Sequence, residues 1–316
     1  MTEFLAVGVD LGATKIASAL VSETGRVLTA RQTLTRSQDG PEAVLKRIAA
    51  EVNALLASVT IPVAGIGIGT PGIIVPSEGV VRNAVNLGWD EVPLVSGVRN
   101  RLEYDLPVFG QKDTNASALG EFYFGAALGC SDFVYLSIGS GLGGGIIANG
   151  QIITGAAWQS SELGHISLNP QGRLCACGLH GCAETVVSGP GLIALTRERL
   201  ISGSIPTFLA DAKELTSASI LAAARARDAL ALDVFTEMGE ALGVVMAACV
   251  AVLNPARFVI GGGLGLAAFD LIVPPARRAL AQRVIQSSID TLEIIPSALQ
   301  SSAIGPSCLV WYSRNH

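Results

Sequence analysis

Residues 4–25 read FLAVGVDLGATKIASALVSETG, and residues 133–153 read FVYLSIGSGLGGGIIANGQII. In the first stretch Phe4 to Asp10 alternates as a strand and Gly12 turns the chain. Ile16 to Val21 forms a second strand, and Ser22-Glu23-Thr24-Gly25 turns into a third. The second stretch repeats the plan: a strand from Phe133, a glycine turn through Gly141 and Gly143, the strand GGGIIA, then Asn149-Gly150 before Gln151-Ile152-Ile153. Two similar hairpin meanders predict two similar lobes. Helical segments follow them: Gly40 to Ala57, with Pro41 at its start and Val44, Ile48, Val52 and Leu55 on one face, and later Ala218 to Met246. VAGIGIGTPG (63–72) and FVIGGGLG (258–265) are short apolar strands ending in glycines, which suits buried strands of an α/β sheet. Ligands collect outside the carboxyl ends of such strands, so the turns at Gly12, Gly72, Gly141 and Gly262 are expected to face one cleft.

Composition narrows the class. A chain of 316 residues has room for about two domains and a sizeable core. Apolar residues make up 50% of it and charged residues only 15%, which excludes intrinsic disorder. Mean hydropathy is +0.50, yet the longest apolar run, Ala241 to Leu253, falls short of the ~18 residues of a membrane span and reads as a buried helix. The charge-poor stretch from Val52 to Ser77 is broken by Pro62, Pro71 and Pro76. The amino terminus, MTEFLAVGVD, lacks the basic start and cleavage site of a signal peptide, so the chain is expected in the cytoplasm and not at a membrane. A net charge of −5, a pI near 5.3 and the lack of a basic run argue against nucleic acid as a partner.

Asp10-Leu11-Gly12-Ala13-Thr14-Lys15 places a carboxylate, a flexible turn, a hydroxyl and an ammonium within one short segment. That set suits a metal-bound polyphosphate: backbone N–H groups and Thr14 bind phosphate oxygens, and Asp10 holds Mg²⁺ or its waters. An ordinary hairpin turn is the competing reading. The second turn, Gly139-Ser140-Gly141-Leu142-Gly143-Gly144-Gly145, favours phosphate, because two such turns in repeated meanders are what gripping a triphosphate requires. Neither matches the Walker A pattern. Asp113, in Lys112-Asp113-Thr114-Asn115-Ala116, follows a strand-like Leu106 to Phe109 and precedes an Ala-rich helix start. It reads either as a helix cap or as a general base that takes a proton from a substrate hydroxyl during phosphoryl transfer.

Three of the six cysteines crowd into Cys175-Ala176-Cys177-Gly178-Leu179-His180-Gly181-Cys182, with His165 upstream. Three thiols and an imidazole suit a closed, structural Zn²⁺ site, and the spacing leaves His165 and His180 both open as the fourth ligand. A redox-active Cys-x-Cys is the rival reading. Cys130, Cys249 and Cys308 sit among Leu, Ala and Val as small hydrophobes.

With these residues in view, the chain resembles the ROK family (repressor, open reading frame, kinase) over nearly its whole length. DLGATK, the TPG loop at 70–72, Asp113 in DTNA, SELGH at 161–165, CACGLHGCAE at 175–184 and IGGGL at 260–264 occur in the family's order, and the cysteine motif is the most specific of them. The resemblance implies an α/β, two-lobed actin-like ATPase (ribonuclease H-like) fold with an interlobe cleft. Residues 1–113 would form a smaller lobe completed by a carboxyl-terminal helix at about 299–316, and residues 114–298 a larger lobe with the zinc motif. It implies a kinase that moves the γ-phosphoryl group of ATP to a hexose hydroxyl, commonly O6 of glucose, with Asp113 as base. Gly72, Lys112, Asp113, Glu162, His165 and Glu184 would line the sugar. Asp10, Gly12, Thr14, Lys15, Gly139, Ser140, Gly141, Gly143, Gly262 and Gly263 would hold ATP and Mg²⁺. His165, Cys175, Cys177 and Cys182 would hold zinc, with His180 an exposed turn residue. A homodimer or dimer of dimers is expected on the same ground.

One position departs from the family. Many of its kinases have Asn directly before the catalytic Asp, and here Lys112 stands there. Asn both donates and accepts, whereas Lys only donates and carries a charge. Lys112 either contacts the sugar and alters selectivity, or points to solvent or pairs with Glu121. Another hexose, N-acetylmannosamine, N-acetylglucosamine or a cyclitol is therefore an alternative acceptor. The family also contains sugar-responsive repressors with a helix-turn-helix domain ahead of the kinase-like part. A first strand beginning near Phe4 leaves no room for one, and Asp113 is retained, which favours a catalyst over a non-catalytic regulator.

Overall fold

The computed structural model of the chain describes residues 4–203, 205–211 and 214–315. Met1 to Glu3, on which the reading of the amino terminus partly rests, lie outside them. The chain divides into two compact units: 1–131 with 145–160 and 298–316, and 132–144 with 161–297.

In the first unit, β1 (Leu5–Leu11), β2 (Lys15–Ser22) and β3 (Val27–Leu34) form an antiparallel meander. β4 (Val63–Thr70) lies parallel to β1. The hairpin β5 (Ile73–Val75) and β6 (Val80–Arg82) follows, and β7 (Val108–Lys112) completes the sheet order β3-β2-β1-β4-β7. Helix α1 (Pro41–Leu56) buries Val44, Ile48, Val52 and Leu55 in one core with Val7, Val9, Ile66 and Ile68. Its apolar stripe has the helical period, and Pro41 at the first turn forgoes only an N–H that would lack a partner. α2 (Leu94–Arg99) and α3 (Asp113–Phe124) flank β7.

β4 alternates Ile66 and Ile68 with glycines, so one face of the central sheet is apolar and the other nearly bare. The bare face lets a helix backbone approach closely. A Cβ on Gly67 would stand 1.8 Å from Pro306 O, and one on Gly8 1.8 Å from Ala303 O, at the start of the carboxyl-terminal helix 304–315. That helix also packs on α3. The expected boundary after Asp113 therefore shifts: α3 belongs with the first unit, whose first segment runs to Ser131. The start of α3 is marked locally, whereas the surfaces that α3 covers are set by distant segments.

β8 (Phe133–Ile138), β9 (Leu142–Ala148) and β10 (Gln151–Ile152) form the repeated meander, with Asn149 and Gly150 both at positive φ in the two-residue turn. The second sheet has the order β10-β9-β8-β11-β12, where β11 (Arg257–Gly261) and β12 (Glu293–Pro296) run parallel to β8. Both five-stranded sheets thus read third, second and first meander strand, then two parallel strands. The second unit contains β8, the start of β9, β11 and β12, with α4 (Gly189–Ser202), α5 (Ser217–Arg225), α6 (Ala229–Leu253), α7 (Gly263–Ala267) and α8 (Phe269–Ala281). The carboxyl-terminal helix is α9 (Ile304–Asn315).

The single helix expected over Ala218–Met246 is two. Arg227 takes a left-handed φ of 66°, and Asp228 caps α6 by accepting the Ala231 N–H at 2.9 Å. α6 is long and apolar enough to span a membrane by length and composition, but half of its most apolar window is buried and it packs along α8.

Candidate functional site

Each unit carries part of the expected machinery. In the first, parallel pairing brings the ends of β1, β4 and β7 to one sheet edge: Asp10 pairs with Gly69, and Thr70 with Lys112. The turn after Asp10 is closed by Gly12 N–H donating to Lys15 O at 2.9 Å. Buried Thr35 straps it, its hydroxyl donating to Gly12 O at 2.6 Å and its N–H to Thr14 O at 3.0 Å. Thr14 and Lys15 remain exposed. Burial raises the Asp10 carboxyl above its usual value, opposed by a hydrogen bond from Ser302 and the Lys15 ammonium. A divalent cation beside it would favour the ionised form. Gly72, just beyond β4, has φ 86° and lies against Arg82 O and Ala84.

Asp113 opens α3, where the helix N-terminus favours a carboxylate, and its Oδ1 accepts the Thr114 N–H at 2.7 Å. Lys112 occupies the cap position and is only 9% exposed, so the solvent-facing alternative for it falls. Gln111 braces this corner: its Oε1 accepts from Lys112 N at 2.9 Å and from Asn115 Nδ2 at 3.3 Å.

In the second unit the turn from Gly139 to Gly143 links β8 to β9, with Ser140 exposed and Gly143 half-buried. Gly139 N–H donates to Gly141 O at 3.0 Å, and Gly189 N–H at the head of α4 donates to Gly139 O at 2.8 Å. Gly262, with φ 79°, folds over Ile138 at the end of β8, and Gly263 begins α7. Glu184 reaches this turn, its Oε2 accepting the Leu142 N–H at 3.0 Å. Its backbone carbonyl accepts from the Ser188 hydroxyl at 2.7 Å, and the same hydroxyl caps α4 by accepting the Gly191 N–H at 3.0 Å.

The ligand atoms of His165, Cys175, Cys177 and Cys182 all lie within 4.8 Å of one another. An isolated bridge, Ser167 with Cys182, carries the His165 segment to the cysteine loop, and a second, Leu174 with His180, closes the loop itself. His180 turns away, its Nδ1 3.0 Å from Gly172 O. The Cys177 and Cys182 sulfurs stand 3.6 Å apart, and Cys175 Sγ is 3.7 Å from His165 Nδ1. A disulfide needs ~2.05 Å. A tetrahedral Zn²⁺ with ligand bonds of about 2.0–2.3 Å gives ligand–ligand edges of roughly 3.6–3.8 Å, so this donor set fits such an ion. Burial pushes the Cys182 thiol up to about 12, whereas the Leu179 N–H helps hold Cys177 below the usual thiol value. A bound cation offsets the cost of the buried thiolate. The other ring nitrogen, Nε2, is 4.0 Å from Glu162 Oε2. His165 therefore presents one nitrogen to the thiols and one toward Glu162, which follows Ser161 at a left-handed φ of 64°.

The sequence reading missed Ser188, Gln111, Ser302 and the Leu142 N–H. Ser188 before Gly189-Pro190 carries a helix-start signal that could have found it, whereas the others have no local mark.

Paired meanders with glycine turns at strand ends define an actin-like ATPase fold. The chain belongs to the ROK family, whose profile matches residues 6–311. It is 33% identical over 320 residues to a glucokinase of Halalkalibacterium halodurans, covering 98% of this chain and 96% of that one. The structure of a ROK family glucokinase from Streptomyces griseus, in complex with glucose and AMPPNP, matches with a TM-score of 0.82 and 30% identity over 99% of this chain and 100% of that one. A ROK family transcriptional regulator, a homologue of the Escherichia coli MLC protein, matches with a TM-score of 0.89 and 28% identity, over 98% of this chain and 78% of that one.

Proposed function

We propose that this protein is a cytoplasmic, ATP-dependent sugar kinase that transfers the γ-phosphoryl group to a hexose hydroxyl, with O6 of glucose the favoured acceptor. The observation that carries the reading is Asp113, a carboxylate held at the head of α3 and at the same sheet edge as Asp10. In this reading Asp113 takes the proton of the sugar hydroxyl as that oxygen bonds to phosphorus and ADP leaves. Gly72 and Lys112 line the sugar with Asp113, and Glu162, Glu184 and His165 Nε2–H bind its other hydroxyls. MgATP is the co-substrate. Asp10 would face its metal; the turns that Gly12 and Gly139 close through their own N–H groups would present Gly141, Gly143, Thr14, Lys15 and Ser140 to the phosphates, and Gly262 and Gly263 would border the nucleotide. His165 Nδ1 and the three thiolates would hold zinc, which would supply rigidity, so that His165 keeps its other N–H donating in one direction.

A coupled ADP-release assay over glucose, its epimers, N-acetylmannosamine, N-acetylglucosamine and cyclitols tests this directly. The expected result is sugar-dependent turnover that Asp113→Asn lowers about 10²-fold or more while ATP and sugar still bind. Activity of that variant within a few-fold of wild type would remove Asp113 as the base. A second reading, a sugar-sensing regulator, is favoured by the likeness to the transcriptional regulator. Sugar binding with no ADP release for any sugar would select it.

A further inference from the structure

Two side chains outside the proposed machinery tie its parts to α4. Ser188 holds the Glu184 carbonyl. Arg173 uses its whole guanidinium fork: Nε and Nη2 donate to the two Glu198 oxygens at 2.7 and 2.6 Å, and Nη1 to Thr185 O at 2.7 Å. Thr185 follows Glu184 and is bound in turn to Cys182 O through its N–H at 3.0 Å and its hydroxyl at 2.8 Å. The Arg173 carbonyl accepts the Gly181 N–H at 2.8 Å, across the hairpin that holds Cys175 and Cys177. One residue thus grips the cysteine loop by its backbone and the segment after Glu184 by its side chain, with Glu198 on α4 as the anchor.

We propose that Arg173 and Glu198 form a positioning pair that fixes the cysteine loop and Glu184 against α4, and so sets how tightly the metal and the sugar are held. The sugar half of this inference rests on the kinase reading; the metal half does not. Arg173 walls two cavities, one of about 280 Å³ shared with Ser140, Cys175 and Glu184 and one of about 550 Å³ shared with Glu198 and Glu240. Glu198 is 57% exposed, and an ion pair so open to water adds little to global stability. What a bidentate fork with a third bond to a carbonyl does supply is orientation. Lysine offers a single point donor and cannot reproduce it.

The test compares the zinc-loaded wild-type chain with Arg173→Met, Arg173→Lys and Glu198→Gln. Transfer of zinc to a chromogenic chelator is followed, with KM for sugar, KM for ATP and Tm. Outer partners of metal ligands typically carry tenfold or more in affinity, so Arg173→Met should speed zinc transfer about tenfold and raise the sugar KM by a similar factor. KM for ATP should stay within about twofold, Arg173→Lys should fall between, and Glu198→Gln should move the same two readouts by less. Wild-type zinc transfer and sugar KM in Arg173→Met, or an ATP KM rising in step with that for sugar, would overturn the pair. If Arg173→Met fails to fold, Glu198→Gln decides on the same readouts. If the wild type phosphorylates no sugar, the kinase reading falls and zinc transfer alone decides.

Discussion

The Oε2 atom of Glu184 accepts the backbone N–H of Leu142 at 3.0 Å, so one carboxylate joins the cysteine loop to the glycine-rich turn. Its other oxygen lies 3.9 Å from Cys175 Sγ. A residue far along the chain thereby shapes the turn proposed to meet the phosphates, and the turn in turn fixes the carboxylate proposed to bind sugar.

Gly141 keeps that bond possible, since a Cβ there would stand 2.4 Å from Glu184 Oε2. The obstructed atom ends a flexible side chain, so Gly141→Ala should displace Glu184 and leave the backbone in place. We expect the sugar KM to rise about tenfold with Tm within a few degrees of wild type, read by steady-state kinetics and thermal unfolding. An unchanged sugar KM would separate the turn from the sugar site.

Gly67→Ala should do the reverse. Its Cβ would stand 1.8 Å from Pro306 O, a backbone atom that cannot swing aside, and α9 would have to lift from the sheet. Overpacking of this kind costs about 3 kcal/mol or more, measurable by urea unfolding. A variant with wild-type stability would show that the helix does not need the bare face of β4.

Lys112 is buried beside the proposed base. If its ammonium meets the sugar, Lys112→Asn should reorder kcat/KM among glucose, its epimers, N-acetylated hexosamines and cyclitols more than it changes KM for ATP. A gained or lost hydrogen bond of about 0.5–1.5 kcal/mol gives shifts of several-fold. All sugars moving together would assign Lys112 to support of the corner rather than to selection.

Metal analysis should find about one zinc per chain, because the four ligands form one closed set. His180→Ala should retain it, since that ring bonds a carbonyl away from the thiols, and His165→Ala should lose it. The opposite pattern would reassign the histidine. Chelation should also weaken sugar binding, because His165 serves both metal and sugar in this reading.

Asp228 supplies a pH test of the fold alone. Burial pushes its carboxyl up, but the N–H groups of Ala231 and Phe208 and the Thr207 hydroxyl outweigh that and hold it below the usual carboxylate value. The folded pKa is depressed, so the stabilisation is complete above the ordinary carboxylate range and is lost as pH falls through the folded value. Asp228→Ala should cost about 1–2 kcal/mol at pH 7, as loss of a helix cap does, and the gap to wild type should narrow in acid. A gap that stays constant down to pH 2 would contradict the cap's ionic character.

The features legible in the sequence were those written in neighbouring residues. Both meanders, the turn at Asn149-Gly150 and the start of α1 at Pro41 follow from alternation, turn residues and capping, each confined to a few positions. The Ala218–Met246 reading failed because apolar residues with helical spacing lie on both sides of Arg227, and only a left-handed residue and a cap break the run.

By itself the sequence determined the repeated α/β plan, the clustering of three thiols near two histidines, and the placing of carboxylates at strand ends. Residue spacing left both histidines open and the family resemblance implied His165; only the tertiary structure showed His165 beside the thiols and His180 turned away, placed α3 with the first sheet, and linked Glu184 to Leu142 and Arg173 to Glu198. The reason is physical. Turns and helix starts are set by the dihedral preferences of adjacent residues, whereas these side-chain partners stand from 10 to 42 residues apart and meet only where the folded chain brings their backbones together.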